Sequence, residues 1–140
     1  MPSSRIIGID YGVRRIGVAL GDQETGIATP LTTVEGCHNV SRDAAALAEL
    51  AAAESAAAFV VGLPMNMDGS EGPQAALTRR FATELERLSE LPVHFQDERL
   101  SSYAAGEVLS STGLSRKKRR ALNDPVAAQK ILQAYLDGPG

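Results

Sequence analysis

Apolar residues fall in short continuous runs at the start of the chain and at helical spacing later. Residues 6–10, 16–22 and about 27–33 read as three strands, with Ile6-Ile7-Gly8-Ile9 and Ile16-Gly17-Val18-Ala19-Leu20 supplying the first two. Their short connections, with Gly12 and Gly26 in the turns, predict an antiparallel meander. Over about 42–56, Ala46, Leu47, Leu50 and Ala53 recur at helical spacing, and Ser41 is the expected N-cap. Phe59-Val60-Val61-Gly62-Leu63 is the kind of unbroken apolar run that a buried parallel strand shows. A glycine-containing loop at 64–73 leads to a helix over about 73–89, whose face carries Leu77, Phe81, Leu85 and Leu88. Val93-His94-Phe95-Gln96 reads as another strand, ending at Asp97-Glu98. A helix from Ser101 or Ser102 to about 111, a basic loop over 113–121 and a last helix opened by Asp124-Pro125 complete the order. The sum is β-β-β-α-β-α-β-α-α. This is an α/β fold with a mixed sheet, an antiparallel meander extended by parallel strands, and helices on both faces. With no repeat and no linker composition, residues 1–140 are expected to form a single domain.

Composition narrows the function. Apolar residues make up 44% of the chain, enough for a globular core, yet no run approaches the roughly 20 residues of a membrane span. The N-terminus leads straight into a strand without a signal-peptide h-region, and Cys37 is the single cysteine. One cysteine excludes an internal disulfide and a cysteine-based zinc site, so a reducing cytoplasm is expected. A net charge of −3 argues against nucleic-acid binding by bulk charge. Local charge differs: Arg116-Lys117-Lys118-Arg119-Arg120 is a dense cationic run, and Arg14-Arg15 lies close to Asp10. Such runs contact phosphates or are simply solvated loops. At 4% aromatics, a base-stacking platform is not expected.

Acidic residues mark three predicted element junctions: Asp10 at the tip of the first strand, Asp97-Glu98 after a later strand, and Asp124 before the last helix. A site built from Asp10, Glu98 and Asp124 offers hard carboxylate oxygens, the ligands Mg²⁺ and Mn²⁺ prefer. Two such ions serve both ends of an in-line phosphodiester displacement, with Asp10 best placed to bridge them and no histidine base required. Structural roles compete at each position. Asp124 before Pro125 is also a well-formed helix N-cap. One of Asp97 and Glu98 can pair with Arg99, itself a candidate substrate contact, and on a continuing strand the two would point to opposite faces, so one ligand is expected from the pair. Backbone N–H groups of the 64–73 loop can cradle a phosphate, with Asn66 and Ser70 as the side chains to watch, although the loop lacks the Gly-Lys-Ser/Thr ending of a P-loop. His38 and His94 are isolated, and His94 reads as a core or edge residue.

Four segments resemble one family. Gly8-Ile9-Asp10-Tyr11-Gly12 with Arg15-Ile16-Gly17-Val18-Ala19 is similar to the opening motif of the YqgF (RuvX) family. Residues 62–72, Asp97-Glu98-Arg99-Leu100-Ser101 and Asp124-Pro125-Val126-Ala127-Ala128 resemble its second, third and fourth motifs, in the family's order. Pro125 stands where Lys or Ser is more usual. The resemblance implies an RNase H-like fold related to bacterial Holliday junction resolvases. It also implies a nuclease using Mg²⁺ or Mn²⁺, a cytoplasmic role in maturing the 5′ end of precursor 16S rRNA, and Asp10, Glu98 and Asp124 as the acids. The substrate partner is then nucleic acid, either precursor rRNA or branched DNA; a resolvase nicking symmetrically would be a homodimer. Two other classes compete. Asp-x-Gly after a first strand also resembles the phosphate loop of actin-like ATPases, but 140 residues cannot build their two lobes. A non-catalytic ribosome-associated module would need only the basic loop.

Overall fold

The computed structural model describes residues 3–99 and 124–138. Strands β1 (Arg5–Asp10), β2 (Arg15–Asp22) and β3 (Ile27–Glu35) pair antiparallel, as the short turns require. β4 (Ala58–Leu63) then joins β1 in parallel, and β5 (Val93–Asp97) joins β4 in parallel, giving the order β3-β2-β1-β4-β5. β4 is buried along its whole length, which is why its sequence is apolar without alternation. β3 extends two residues past the expected end and forms one edge, while His94 lies exposed on the other edge, stacked on Tyr135.

Helices α1 (Val40–Glu54) and α2 (Pro73–Ser89) cover one face, packing Ala44, Leu47, Phe81 and Leu85 against Ile7, Ile9, Val18, Phe59 and Val61. Helix α3 (Pro125–Asp137) covers the other, with Ala128, Ile131 and Leu132 against Ile6, Ala19 and Val60. Ile6 and Ile7 thus enter different cores, as strand alternation demands. The expected Ser41 cap is corrected: Asn39 caps α1, its side chain accepting from the Arg42 N–H at 3.0 Å, so the helix begins at Val40. Its end also comes earlier than expected, at Glu54, because Ser55 takes the left-handed conformation and closes the last turn. The expected helix from 101 or 102 to 111, the basic loop 113–121 and with it Arg116, Lys117, Lys118, Arg119 and Arg120 lie outside the described residues. Among the described residues, no helix is long and apolar enough to cross a membrane.

α3 lies close to the sheet because glycines floor its path. A Cβ on Gly8 would stand 2.6 Å from the Leu132 Cβ, closer than carbon atoms pack. That close approach brings the start of α3, and with it Asp124, to the end of β1 that carries Asp10.

Candidate functional site

Asp10 ends β1 on the face that α3 covers, two residues beyond Gly8, and is only 8% exposed. On each side its strand neighbour is a glycine. Gly17 of β2 is its register partner, and Gly62 of β4 lies one residue past the Ile9–Val61 pair. Over each glycine sits another of the expected acids. A Cβ on Gly17 would come within 2.2 Å of the Asp124 carbonyl oxygen, and one on Gly62 within 2.9 Å of Glu98 Cγ and Oε1. Asp10 therefore stands in the middle of a three-strand row, with Asp124 above one flank and Glu98 above the other. Each flank is about one strand spacing away, ~5 Å.

The two flanks differ in what they bring. Glu98 is half-buried and its carboxyl makes a hydrogen bond with that of Asp10. Burial raises the Glu98 carboxyl above its ordinary range, the nearby Asp97 charge adds to the rise, and the Asp10 contact works in the opposite sense. Asp124 directs Oδ1 to the Ala127 N–H at 2.8 Å, so its N-cap role is real. Among the described residues, no group of three or more His, Cys, Asp or Glu side chains is close enough to form a ready metal cage. Asp10 and Glu98 meet, while Asp124 is present by its backbone with its carboxylate engaged as a helix cap.

β5 ends at Asp97 and the chain turns into helical conformation at Glu98–Arg99, so strand alternation does not sort the two acids. Their partners do. Asp97 pairs with Arg99, whose Nη2 donates at 2.7 Å, and this holds the Asp97 carboxyl below its usual range. Asn66 and Ser70 are both exposed, and their polar groups are bonded within the loop. The Asn66 amide donates to Ser70 Oγ at 2.9 Å, and the N–H groups of Asn66, Gly69 and Ser70 are all spent within the loop. Arg14 and Arg15 are exposed in the turn that leaves Asp10.

Two supporting features were not anticipated. The flanking glycines are one; their only sequence signal was a weak strand former inside each of two apolar runs. The other is Tyr11, buried beside Asp10. It stacks on Phe81 with ring centroids 4.1 Å apart and donates its hydroxyl to Asp43 of α1 at 3.2 Å. Burial, then the Asp43 charge, raises the Tyr11 hydroxyl to about 12. Asp43 is 2% exposed and also accepts the Cys37 N–H at 3.1 Å, so Cys37 has a structural partner.

A five-strand mixed sheet in this order, helical on both faces, is an RNase H-like fold. The solved structures agree on the fold. Thermus thermophilus RuvC bound to a Holliday junction substrate superposes with a TM-score of 0.59 at 16% identity, over 94% of this chain and 92% of that one. A second RuvC structure from the same organism gives 0.58 at 17%. The profile of the RuvX family, described as Holliday junction resolvases, matches residues 4–138, and the chain belongs to that family. Relatives provisionally named pre-16S rRNA nucleases include those of Moorella thermoacetica, 51% identical over 97% of this chain and 96% of its own, and of Rhodobacter capsulatus, 51% identical over 94% and 82%.

Glu98→Gln tests the acid pair without an activity assay. A carboxyl raised by folding contributes stability that is fully present below its unfolded value and is lost as pH rises through the raised one. In EDTA, the melting temperature of the wild type should therefore fall from acidic to neutral pH more steeply than that of Glu98→Gln, which should melt higher at neutral pH. Thermal scans across this range check it; parallel profiles would contradict it.

Proposed function

We propose that this chain is a divalent-metal-dependent nuclease, acting in the cytoplasm as one domain on structured RNA, with the 5′ end of precursor 16S rRNA as its substrate. The observation that carries the proposal is the contact between the Asp10 and Glu98 carboxyls on a floor of glycines. Like charges that close are costly unless a proton or a cation joins them, and hard oxygens flanked by missing side chains suit Mg²⁺ or Mn²⁺. Asp10 would hold the centre of the site and Glu98 one side. The Asp124 carboxylate would complete the other side through the oxygen not used in the cap. When bound, such ions supply an activated water and stabilisation of the leaving oxyanion. Arg14 and Arg15 would meet phosphates entering beside Asp10. The relatives' names support the rRNA assignment.

The family description favours a second reading, cleavage of four-way DNA junctions; symmetric nicking would then call for a homodimer with paired sites. Cleavage of a precursor 16S leader and of a mobile four-way junction, each in Mg²⁺, Mn²⁺ and EDTA, separates the two. We expect metal-dependent cleavage of the RNA. Preference for the junction by a dimeric species would transfer the assignment to the second reading, and cleavage that persists in EDTA would end both.

A further inference from the structure

Arg99 follows Glu98 directly, and its position after an active-site acid suggests a phosphate contact. Its guanidinium is turned onto the protein instead. Nε donates to both Asp97 oxygens at 3.1 and 3.0 Å, and Nη2 donates to Oδ2 at 2.7 Å. The Arg99 backbone N–H adds a bond to Asp97 Oδ1 at 2.9 Å. Nη1 reaches the carbonyl oxygens of Asn66 and Met67, each at 3.4 Å, in the loop between β4 and α2. All three guanidinium nitrogens therefore donate within the chain.

The loop it holds is already stiff. The Asn66 N–H donates to the Ser70 carbonyl at 2.8 Å, Ser70 Oγ donates to Asp68 Oδ1 at 2.6 Å, and Glu71 takes Arg79 through two 2.7 Å bonds. The residues on either side of Glu98 are bonded to each other, and the turn they form is tied to a braced loop leaving the neighbouring strand.

We propose that Arg99 is a positioning residue: by clamping Asp97 and the Asn66–Met67 carbonyls, it fixes the turn from which Glu98 reaches Asp10. The inference rests on the reading of Glu98 as a metal ligand. It assigns Asp97 a structural partner's role and removes Arg99 from the substrate contacts. Lysine cannot replace it, because one ammonium cannot span a carboxylate and two carbonyls at once.

The test uses full-length Arg99→Lys, Arg99→Gln, Asp97→Asn and the double variant Asp97→Asn/Arg99→Gln. It reads single-turnover cleavage, Mn²⁺ affinity by calorimetry, substrate affinity in EDTA at several salt concentrations, and hydrogen exchange over residues 64–72. Clamping predicts that Arg99→Lys loses about 10–100-fold in cleavage and in Mn²⁺ affinity, the usual cost of losing support behind a metal ligand. Substrate affinity and its salt slope should hold, loop exchange should quicken, and the double variant should be no worse than the worse single variant. Retained cleavage in Arg99→Lys, with weaker binding and a salt slope lower by about one in Arg99→Gln, would instead make Arg99 a phosphate contact and overturn the proposal. Mn²⁺ affinity and loop exchange report even if the wild type cuts neither nucleic acid. In that case the functional assignment falls, and unchanged values for both in Arg99→Gln would overturn the clamp as well.

Discussion

Asp10→Asn is expected to lower cleavage at least about a thousandfold while leaving substrate affinity within about twofold. Asparagine keeps the size of the side chain and can still hydrogen-bond Glu98, so β1 and the core beneath it should not change. What it loses is the negative charge at the centre of the row. A thousandfold loss corresponds to about 4 kcal/mol of transition-state stabilisation, near the upper end of what one oriented electrostatic group supplies. Asparagine also removes the like-charge contact with Glu98, so the variant should melt no lower than the wild type in EDTA. Loss of cleavage with unreduced stability would separate a chemical role from a structural one. Full activity in Asp10→Asn would support a non-catalytic binding module instead.

The two flanking glycines should respond differently to alanine. At Gly17, the new methyl would meet backbone atoms of Asp124, with the carbonyl oxygen at 2.2 Å and its carbon at 2.5 Å. Backbone cannot rotate away, so the start of α3 must lift. Overpacking of this kind costs about 1–3 kcal/mol, and here the upper end is expected. At Gly62, the obstacles are side-chain ends: Ile131 Cδ1 at 2.5 Å and Glu98 Oε1 at 2.9 Å. These can turn aside, so Gly62→Ala should cost about 1 kcal/mol or less in stability and yet lose about a hundredfold in cleavage, because displacing a reacting group by about 1 Å is worth that much. Chemical denaturation and single-turnover kinetics on both variants check the contrast. Equal losses in stability, or a fully active Gly62→Ala, would contradict the glycine-floor account.

Much of this was legible in the sequence because of period. The all-apolar run in β4 and the helical spacing in α1 and α2 leave few alternatives, so the succession of elements and a mixed sheet followed, while the order of strands in the sheet did not. Asp10 and Asp124 were visible because an acid at a strand tip or before a proline is conspicuous. Other features depended on contacts between distant segments. Asn39 displaced Ser41 as the cap through a bond that any of several nearby polar residues could make. Asp97 and Glu98 are adjacent and chemically alike, and only their folded partners, Arg99 for Asp97 and Asp10 for Glu98, distinguish them. Gly17 and Gly62 read as ordinary members of two strands; their significance lies in what packs above them, across more than 30 residues of sequence for Gly62 and over 100 for Gly17. That Asn66 and Ser70 bond to each other was not legible, because polar residues in a glycine-containing loop read the same way whatever their partners.

The central claim is that Asp10, Glu98 and Asp124 share a divalent cation. Anomalous diffraction from crystals soaked in Mn²⁺ addresses it directly. The account predicts a peak within about 2.0–2.4 Å of Asp10 and Glu98 oxygens, with the Asp124 carboxylate drawn toward it. A soaked crystal that shows manganese elsewhere, or none, while Asp10 and Glu98 keep their mutual hydrogen bond would contradict it.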